Sequence, residues 1–245
     1  MNPRPKIGLL LILSLVFATS VTAAFRLDKP VRDHIVASHG PSWNKSTDKK
    51  IHASIRTWGD WPPIMGFALL GVLIAKWRGN SHWRRILLAA MIASTLAGAL
   101  ANTSRLTTGR TRPRESPKHE QGFYGPWKDG QLLIGKAGFN SFPSGHTATA
   151  FGFAAVIILA SPAWGVAAIA GACAVAWSSI VIGAHHPSDV VVSIFLSFGV
   201  GWFVWRVARQ RCMKPTDSQG IRWIPPARPP TQALPPLISK RPRAE

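Results

Sequence analysis

The chain has 245 residues, of which 47% are hydrophobic, and yet it carries a formal net charge of +19. These properties coexist because the Lys and Arg residues fall between long apolar runs and near the C-terminus. Basic loops between apolar runs are typical of membrane proteins. A nucleic-acid-binding protein is disfavoured, because no recognisable nucleic-acid module accompanies the charge.

Six apolar runs predict an all-α fold class, a polytopic membrane helix bundle with six transmembrane helices. The runs cover residues 7–25, 61–75, 86–101, 147–160, 164–184 and 190–207. The first run follows basic residues and ends near small ones, so it fits a cleaved signal peptide as well as a first helix. We favour the retained helix.

The runs divide the chain into four regions. Residues 1–25 form the first transmembrane helix or a signal peptide, and residues 26–60 are an extramembrane segment with room for an amphipathic helix. Residues 61–207 form the main helix bundle. The basic, Pro-rich residues 208–245 are predicted to be a disordered cytoplasmic tail, because such a segment buries little apolar surface.

Basic residues at 76–85 and 206–211 place those segments in the cytoplasm. With six spans, both termini are then cytoplasmic. Three polar clusters, around residues 105–112, 144–146 and 185–189, emerge together on the opposite membrane face. The predicted location is therefore a bacterial-type inner (plasma) membrane, multi-pass, with one site facing the periplasmic side.

The first cluster contains Arg105, Arg110 and Arg112, just past the end of the third apolar run. Arginine forks match phosphate oxygens bidentately and keep their charge. The cluster is thus a candidate phosphate clamp. The alternative is a solvated basic loop beside lipid headgroups.

The second cluster is Pro143-Ser144-Gly145-His146, which opens the fourth apolar run. Serine is a good helix N-cap, and glycine lets a ligand approach the backbone closely. Free amides at a helix start favour an anion, and a histidine there can deliver a proton. The alternative is a plain helix cap with an interfacial histidine.

The third cluster runs from His185 to Asp189. A carboxylate beside a histidine can fix its tautomer and support the imidazolium, although such a pair can also merely stabilise a loop. Together the clusters supply an anion clamp, a nucleophile with its orienting acid, and the second histidine His146. These groups suffice for phosphoryl transfer through a phosphohistidine, with no metal or cofactor called for.

The chain resembles the type 2 phosphatidic acid phosphatase (PAP2) superfamily, which shares its core with vanadium haloperoxidases. The family pattern is Lys-x6-Arg-Pro, Pro-Ser-Gly-His and Ser-Arg-x5-His-x3-Asp. The matching stretches are Arg105-x6-Arg112-Pro113, Pro143-Ser144-Gly145-His146 and Ser178-Ser179-x5-His185-x3-Asp189. The resemblance extends over about residues 58–207 and implies that the bundle at 61–207 is a PAP2-like catalytic bundle.

By that resemblance His185 is the nucleophile, Asp189 its partner, and His146 the proton donor to the leaving group. The implied phosphate ligands are Arg105, Arg112, Ser144 and the Gly145 amide. Two positions depart from the pattern. Arg105 stands where the family has a lysine, and this change keeps the positive charge. Ser179 stands where the family has an arginine, and this change removes a positive charge. Arg110 is the residue that we expect to compensate as an additional phosphate ligand.

The predicted function is hydrolysis of a phosphomonoester or diphosphate on a membrane lipid, by a PAP2-type phosphatase without a metal. Candidate substrates are undecaprenyl diphosphate, phosphatidic acid, phosphatidylglycerol phosphate and the phosphates of lipid A. A catalytically impaired protein that only binds lipid phosphate is the alternative, because of Ser179. The choice of lipid and the oligomeric state stay open.

Overall fold

The computed structural model describes residues 4–116 and 118–210, and α-helices form most of this part of the chain. The helices are α1 (Arg4–Ser38), α2 (Thr47–Thr57), α3 (Trp61–Trp77), α4 (Ser81–Thr108), α5 (Gly145–Ala160), α6 (Pro162–Val181) and α7 (Pro187–Gln210). A small hairpin of β1 (Trp127–Lys128) and β2 (Gln131–Leu132) lies between α4 and α5. Most of the predicted tail at 208–245 lies outside the described residues.

Four helices, α1, α4, α6 and α7, are long and apolar enough to cross a membrane. Helices α2 and α3 meet at a bend of 53° and count as a fifth candidate when they are taken together. Helix α5 has 16 residues, fewer than the roughly 20 of a typical span. The chain is therefore a multi-pass membrane protein with four or five candidate spans within residues 4–116 and 118–210, and the predicted count of six is not established.

Helix α1 departs most from its prediction. It has 35 residues and continues through Pro30 to Ser38, so the predicted boundary between residues 25 and 26 falls inside one helix. The apolar run ends near this boundary, but the helix continues because it packs along α7. There Asp28 is buried and accepts a hydrogen bond of 3.0 Å from the Ser188 amide.

Helix α5 lies at the centre of the bundle and packs against α4, α6 and α7. The contact with α4 is close because small residues form it. A Cβ on Gly152 would come within 2.9 Å of the Ala93 carbonyl oxygen, and a Cβ on Gly98 within 2.4 Å of Thr149 Cγ2. Such packing without large side chains is a common way for helices to associate in lipid, and it holds the start of α5 firmly in place.

One end of the bundle gathers the polar clusters. The C-terminal ends of α4 and α6, the N-terminal ends of α5 and α7, and the long connection at 109–144 all meet there. Helix α2 packs across the same end, against α6. The basic turn between α3 and α4 and the end of α7 lie at the opposite end, so the predicted convergence of the three clusters is observed.

Candidate active site

His185 lies in the turn between α6 and α7, and its side chain is fully buried. Its Nδ1 lies 2.7 Å from the Ser141 carbonyl oxygen, which can only accept, so Nδ1 carries the proton. Nε2 then holds the lone pair, and this buried atom has no hydrogen-bond partner among the described residues. The imidazole is thus held with one nitrogen available as a nucleophile.

Burial also lowers the pKa of His185 to about 4, because charging a desolvated imidazole is costly. The cations of Arg105 and Arg112 act in the same direction, whereas Asp189 opposes the shift. His185 is therefore neutral at pH 7, as a nucleophile must be.

Asp189 lies in the first turn of α7, but it does not bind the imidazole directly. Its Oδ2 is 3.7 Å from His185 Nδ1, which is too far for a hydrogen bond. Oδ2 accepts instead from Ser141 Oγ at 2.5 Å and from the His186 amide at 2.7 Å. Ser141 links the two residues, because its carbonyl accepts from His185 and its hydroxyl donates to Asp189. The role of Asp189 as the partner of His185 stays a prediction.

Arg110, the predicted additional phosphate ligand, contacts groups of the protein itself. Its guanidinium is ion-paired with Asp189 and, at 2.5 Å, with Asp28, and it donates a hydrogen bond of 2.7 Å to Ser188 Oγ. Three aromatic rings, with centroids 4.5–5.7 Å from its Cζ, surround it: Phe25, Phe123 and Phe142. Arg110 therefore connects α1 and α7, and its predicted role as a phosphate ligand stays a prediction.

Arg105 and Arg112 are held more loosely. Arg105 Nε donates to the Pro143 carbonyl at 2.9 Å, and Arg112 Nη2 donates to Asn140 Oδ1 at 2.6 Å. The buried atoms Arg105 Nη2 and Arg112 Nε have no partner within residues 4–116 and 118–210. These are donors that a phosphate oxygen can accept from, and no carboxylate neutralises either group by a salt bridge in the described structure.

The surroundings of Arg112 are strongly cationic. Burial, followed by repulsion from Arg114, Arg105 and Arg56, lowers the pKa of Arg112 to about 9. A buried group of like charges is unfavourable by itself and becomes favourable when an anion joins it. The electrostatics of this end of the bundle are therefore those of an anion site.

Gly145 and Ser144 shape the start of α5. A Cβ at Gly145 would lie 2.6 Å from Arg105 Nη2, so glycine is needed for the arginine to sit there. Ser144 Oγ accepts from the Thr147 amide at 3.4 Å, and the Ser144 amide donates to Ser193 Oγ at 2.8 Å. The Ser144 side chain is therefore used as a helix N-cap, whereas the Gly145 amide precedes the first intrahelical bond and donates to no backbone group within the described residues.

His146, at the start of α5, contacts the junction of α2 and α3. Arg56 Nη2 donates to its Nδ1 at 3.2 Å, so Nε2 carries the proton and lies 2.6 Å from Asp60 Oδ1. A cavity of about 240 Å³ opens beside His146, Asp60 and Arg105. Sequence reasoning missed Arg56 and Asp60, because no motif marks them.

The described ranges contain no group of three or more His, Cys, Asp or Glu side chains that could hold a metal ion. The expectation of metal-independent chemistry stays a prediction for biochemical test.

Comparison with known proteins connects this geometry to a family. The chain is 38% identical over 107 residues to the lipid A 1-phosphatase of Rhizobium etli, covering 44% of this chain and 42% of the relative. It is 30% identical over 155 residues to the lipid A 1-phosphatase of Porphyromonas gingivalis, covering 61% of this chain and 30% of the relative. The matches thus span less than half the length of these relatives.

A solved structure shares the fold. It is the crystal structure of the transmembrane PAP2 type phosphatidylglycerolphosphate phosphatase from Bacillus subtilis, with a TM-score of 0.50 and 18% sequence identity. The likeness covers 88% of this chain and 100% of that chain. The family model of the PAP2 superfamily matches residues 83–212, which is more than half of the sequence. This chain belongs to the PAP2 superfamily.

Proposed function

We propose that this protein is a lipid phosphate phosphatase that forms a phosphohistidine at Nε2 of His185. One observation carries the proposal: this nitrogen is buried, holds a lone pair, and has no hydrogen-bond partner in the described part of the chain. It shares its end of the bundle with the free donors of Arg105 and Arg112. A nucleophile beside unpaired cations suits attack on a phosphoryl group.

The reaction follows in two steps. Nε2 of His185 attacks phosphorus while the bond to the lipid oxygen breaks, and the leaving oxygen takes a proton from His146, which enters this step as an imidazolium and leaves it as the neutral ring. Water then attacks the phosphohistidine, the P–N bond breaks, phosphate leaves, and His146 takes a proton from the water. In the structure His146 Nε2 donates a hydrogen bond to Asp60 Oδ1 at 2.6 Å. The Asp60 carboxylate stabilises the imidazolium form of His146, and in the first step the leaving oxygen takes its place as acceptor.

The substrate that we propose to test first is the 1-phosphate of lipid A. The relatives from Rhizobium etli and Porphyromonas gingivalis are both named lipid A 1-phosphatase. Phosphatidylglycerol phosphate, phosphatidic acid and undecaprenyl diphosphate complete the panel. All four present a phosphate at the membrane surface, and the topology proposed below places the cavity beside His146 at that level.

The test is phosphate release from this panel by the purified full chain in detergent. We expect release from at least one lipid, and loss of about 10⁴-fold or more in His185→Gln, since the covalent step is removed. His82→Gln is the matched control, because His82 is exposed at the start of α4, at the far end of the bundle. Activity that survives in His185→Gln would overturn the mechanism.

Ser179 supports one alternative, a protein that binds lipid phosphate without turning it over. The family pattern has an arginine at this position, and Ser179 Oγ is committed to the Val175 carbonyl at 2.9 Å. In that case wild-type protein would release no phosphate from the panel, yet orthovanadate, a phosphate mimic, would still raise its Tm.

We further propose six spans, in which α3 and α5 also cross the membrane, with the site on the periplasmic face of the inner membrane. The basic turn between α3 and α4 supports this orientation. Reporter fusions at Gly79 and at Gln121 should report opposite sides of the membrane. If they report the same side, the proposed topology is wrong.

A further inference from the structure

Position 179 is where the family pattern places a cation and this chain does not. Ser179 is fully buried on α6, and its carbonyl accepts hydrogen bonds from the Ala184 and His185 amides at 3.1 and 3.3 Å. The side chain of an arginine at position 179 would extend from a backbone position next to His185, the proposed nucleophile. A cation that replaces it must therefore reach the same space from another element.

One face of helix α2 places basic side chains against the bundle. Lys49, His52 and Arg56 lie on this face and are half-buried together with Ile55, whereas Lys50 is exposed. Removing cationic groups from water is costly unless they gain polar partners or an anion. The contacts of His52 and Arg56 therefore decide what this face of α2 does.

Contacts with α6 fix α2 next to Ser179. His52 Nδ1 lies 3.1 Å from Ser178 Oγ, one residue before the serine. At the end of α2, Gly59 packs so closely on Val175 that a Cβ would lie 2.3 Å from Val175 Cγ1. Thr149 Oγ1 of α5 also donates to the Gly59 carbonyl, so the end of α2 is held on two sides.

Arg56 is the cation that this packing delivers to the site. Its Nη2 donates to His146 Nδ1 at 3.2 Å, while its Nε is buried with no partner among the residues that the structure describes. Its charge acts on Arg112, whose pKa it helps to lower. Arg56 thus shares two features with Arg105 and Arg112: it lies close to other cations, and one of its buried donor atoms has no partner among the described residues.

We propose that Arg56 supplies the guanidinium that Ser179 lacks, so that its free donor binds the transferred phosphoryl group together with Arg105 and Arg112. The inference rests on the proposed function. It makes α2, which lies before the family match at 83–212, part of the phosphate-binding site. A cation lost from one helix is thereby replaced from another.

The first experiment measures phosphate release by Arg56→Ala and Arg56→Lys. We expect kcat to fall by about 10²–10³-fold in Arg56→Ala, the usual cost of one preorganised donor. Lysine should recover only part of the loss, because it keeps the charge without the fork. Lys50→Ala is the matched control, as Lys50 is an exposed basic residue of α2, and it should keep wild-type rates.

The second experiment removes the guanidinium at position 56 and introduces one at position 179, where the family pattern has its arginine. Arg56→Ala combined with Ser179→Arg should recover at least tenfold over Arg56→Ala alone, whereas Ser179→Arg alone should add nothing or lower kcat, since two cations compete for one space. If the double variant is unfolded by its Tm, the comparison of alanine and lysine at position 56 decides the question. Wild-type rates in Arg56→Ala would overturn the proposal.

Arg56 also contacts His146, so a role limited to positioning that histidine must be separated. Orthovanadate is the probe, and its affinity is measured by the shift in Tm in a His146→Ala background. If Arg56 binds the phosphoryl group, Arg56→Ala should weaken vanadate binding by at least tenfold there. An unchanged affinity would overturn the proposal. Absence of turnover by the wild type would defeat the proposed function, while this binding test would still decide the role of Arg56.

Discussion

Arg110 and Arg112 are separated by a single residue and have opposite environments. Arg110 faces two carboxylates and three aromatic rings and has its charge fully compensated. Arg112 lies among other cations and keeps a buried donor without a partner in the described chain. The difference teaches that a run of arginines in a sequence can divide into one residue for the fold and others for the ligand.

The two environments predict opposite consequences of mutation. Removing Arg110 leaves Asp28 and Asp189 buried without a counter-charge, which is costly for folding. Removing Arg112 relieves repulsion between like charges, and so it should damage function without damaging the fold.

The largest expected effect is on the stability of Arg110→Met. We expect the free energy of unfolding to fall by about 3–5 kcal/mol, as is typical when one partner of a buried ion pair is removed. Thermal unfolding in detergent measures the effect. Asp28→Asn in the same background should return part of the loss, because one uncompensated charge disappears. A stable and active Arg110→Met variant would contradict the assignment of Arg110 to the fold.

The next effect is on the turnover of Arg112→Ala. We expect kcat to fall by about 10²–10³-fold, with a Tm equal to or above that of the wild type. Lys118→Ala is the control, since Lys118 is an exposed cation in the same connection. Equal losses in the two variants would show that general charge, rather than the free donor of Arg112, attracts the substrate.

A smaller effect concerns pH, because His185 lies between the two arginine environments. Its folded pKa of about 4 is below the ordinary 6.5, so the folded state prefers the neutral ring. This contribution to stability is fully present above pH 6.5 and is lost as the pH falls toward 4. Tm measured from pH 8 to 5 should therefore decline more in the wild type than in His185→Gln. Parallel curves would contradict the shift.

The smallest expected effect is that of EDTA. If arginines stabilise the phosphoryl charge, excess EDTA should leave phosphate release unchanged. A complete loss that magnesium reverses would show that a metal ion shares this work.

Much of the fold and of the site was predictable from local sequence. Apolar runs predict helices wherever they occur, and the starts of α5 and α7 follow from a serine cap and from Pro187 at the first helical position. The three motifs also placed His146, His185 and Asp189 at one end of the bundle. These features depend on neighbours a few residues apart, so a sequence shows them directly.

Only the tertiary structure decided which partner each polar group has. Asp28 lies 82 positions before Arg110, and Ser141 lies 44 positions before His185. His52 and Ser178, whose contact brings Arg56 to the site, are 126 positions apart. No local pattern encodes such pairs, because packing of distant helices creates them. The sequence by itself thus determined the chemical groups of this protein, and the packing determined which arginine neutralises carboxylates and which ones keep a donor without a partner in the described structure.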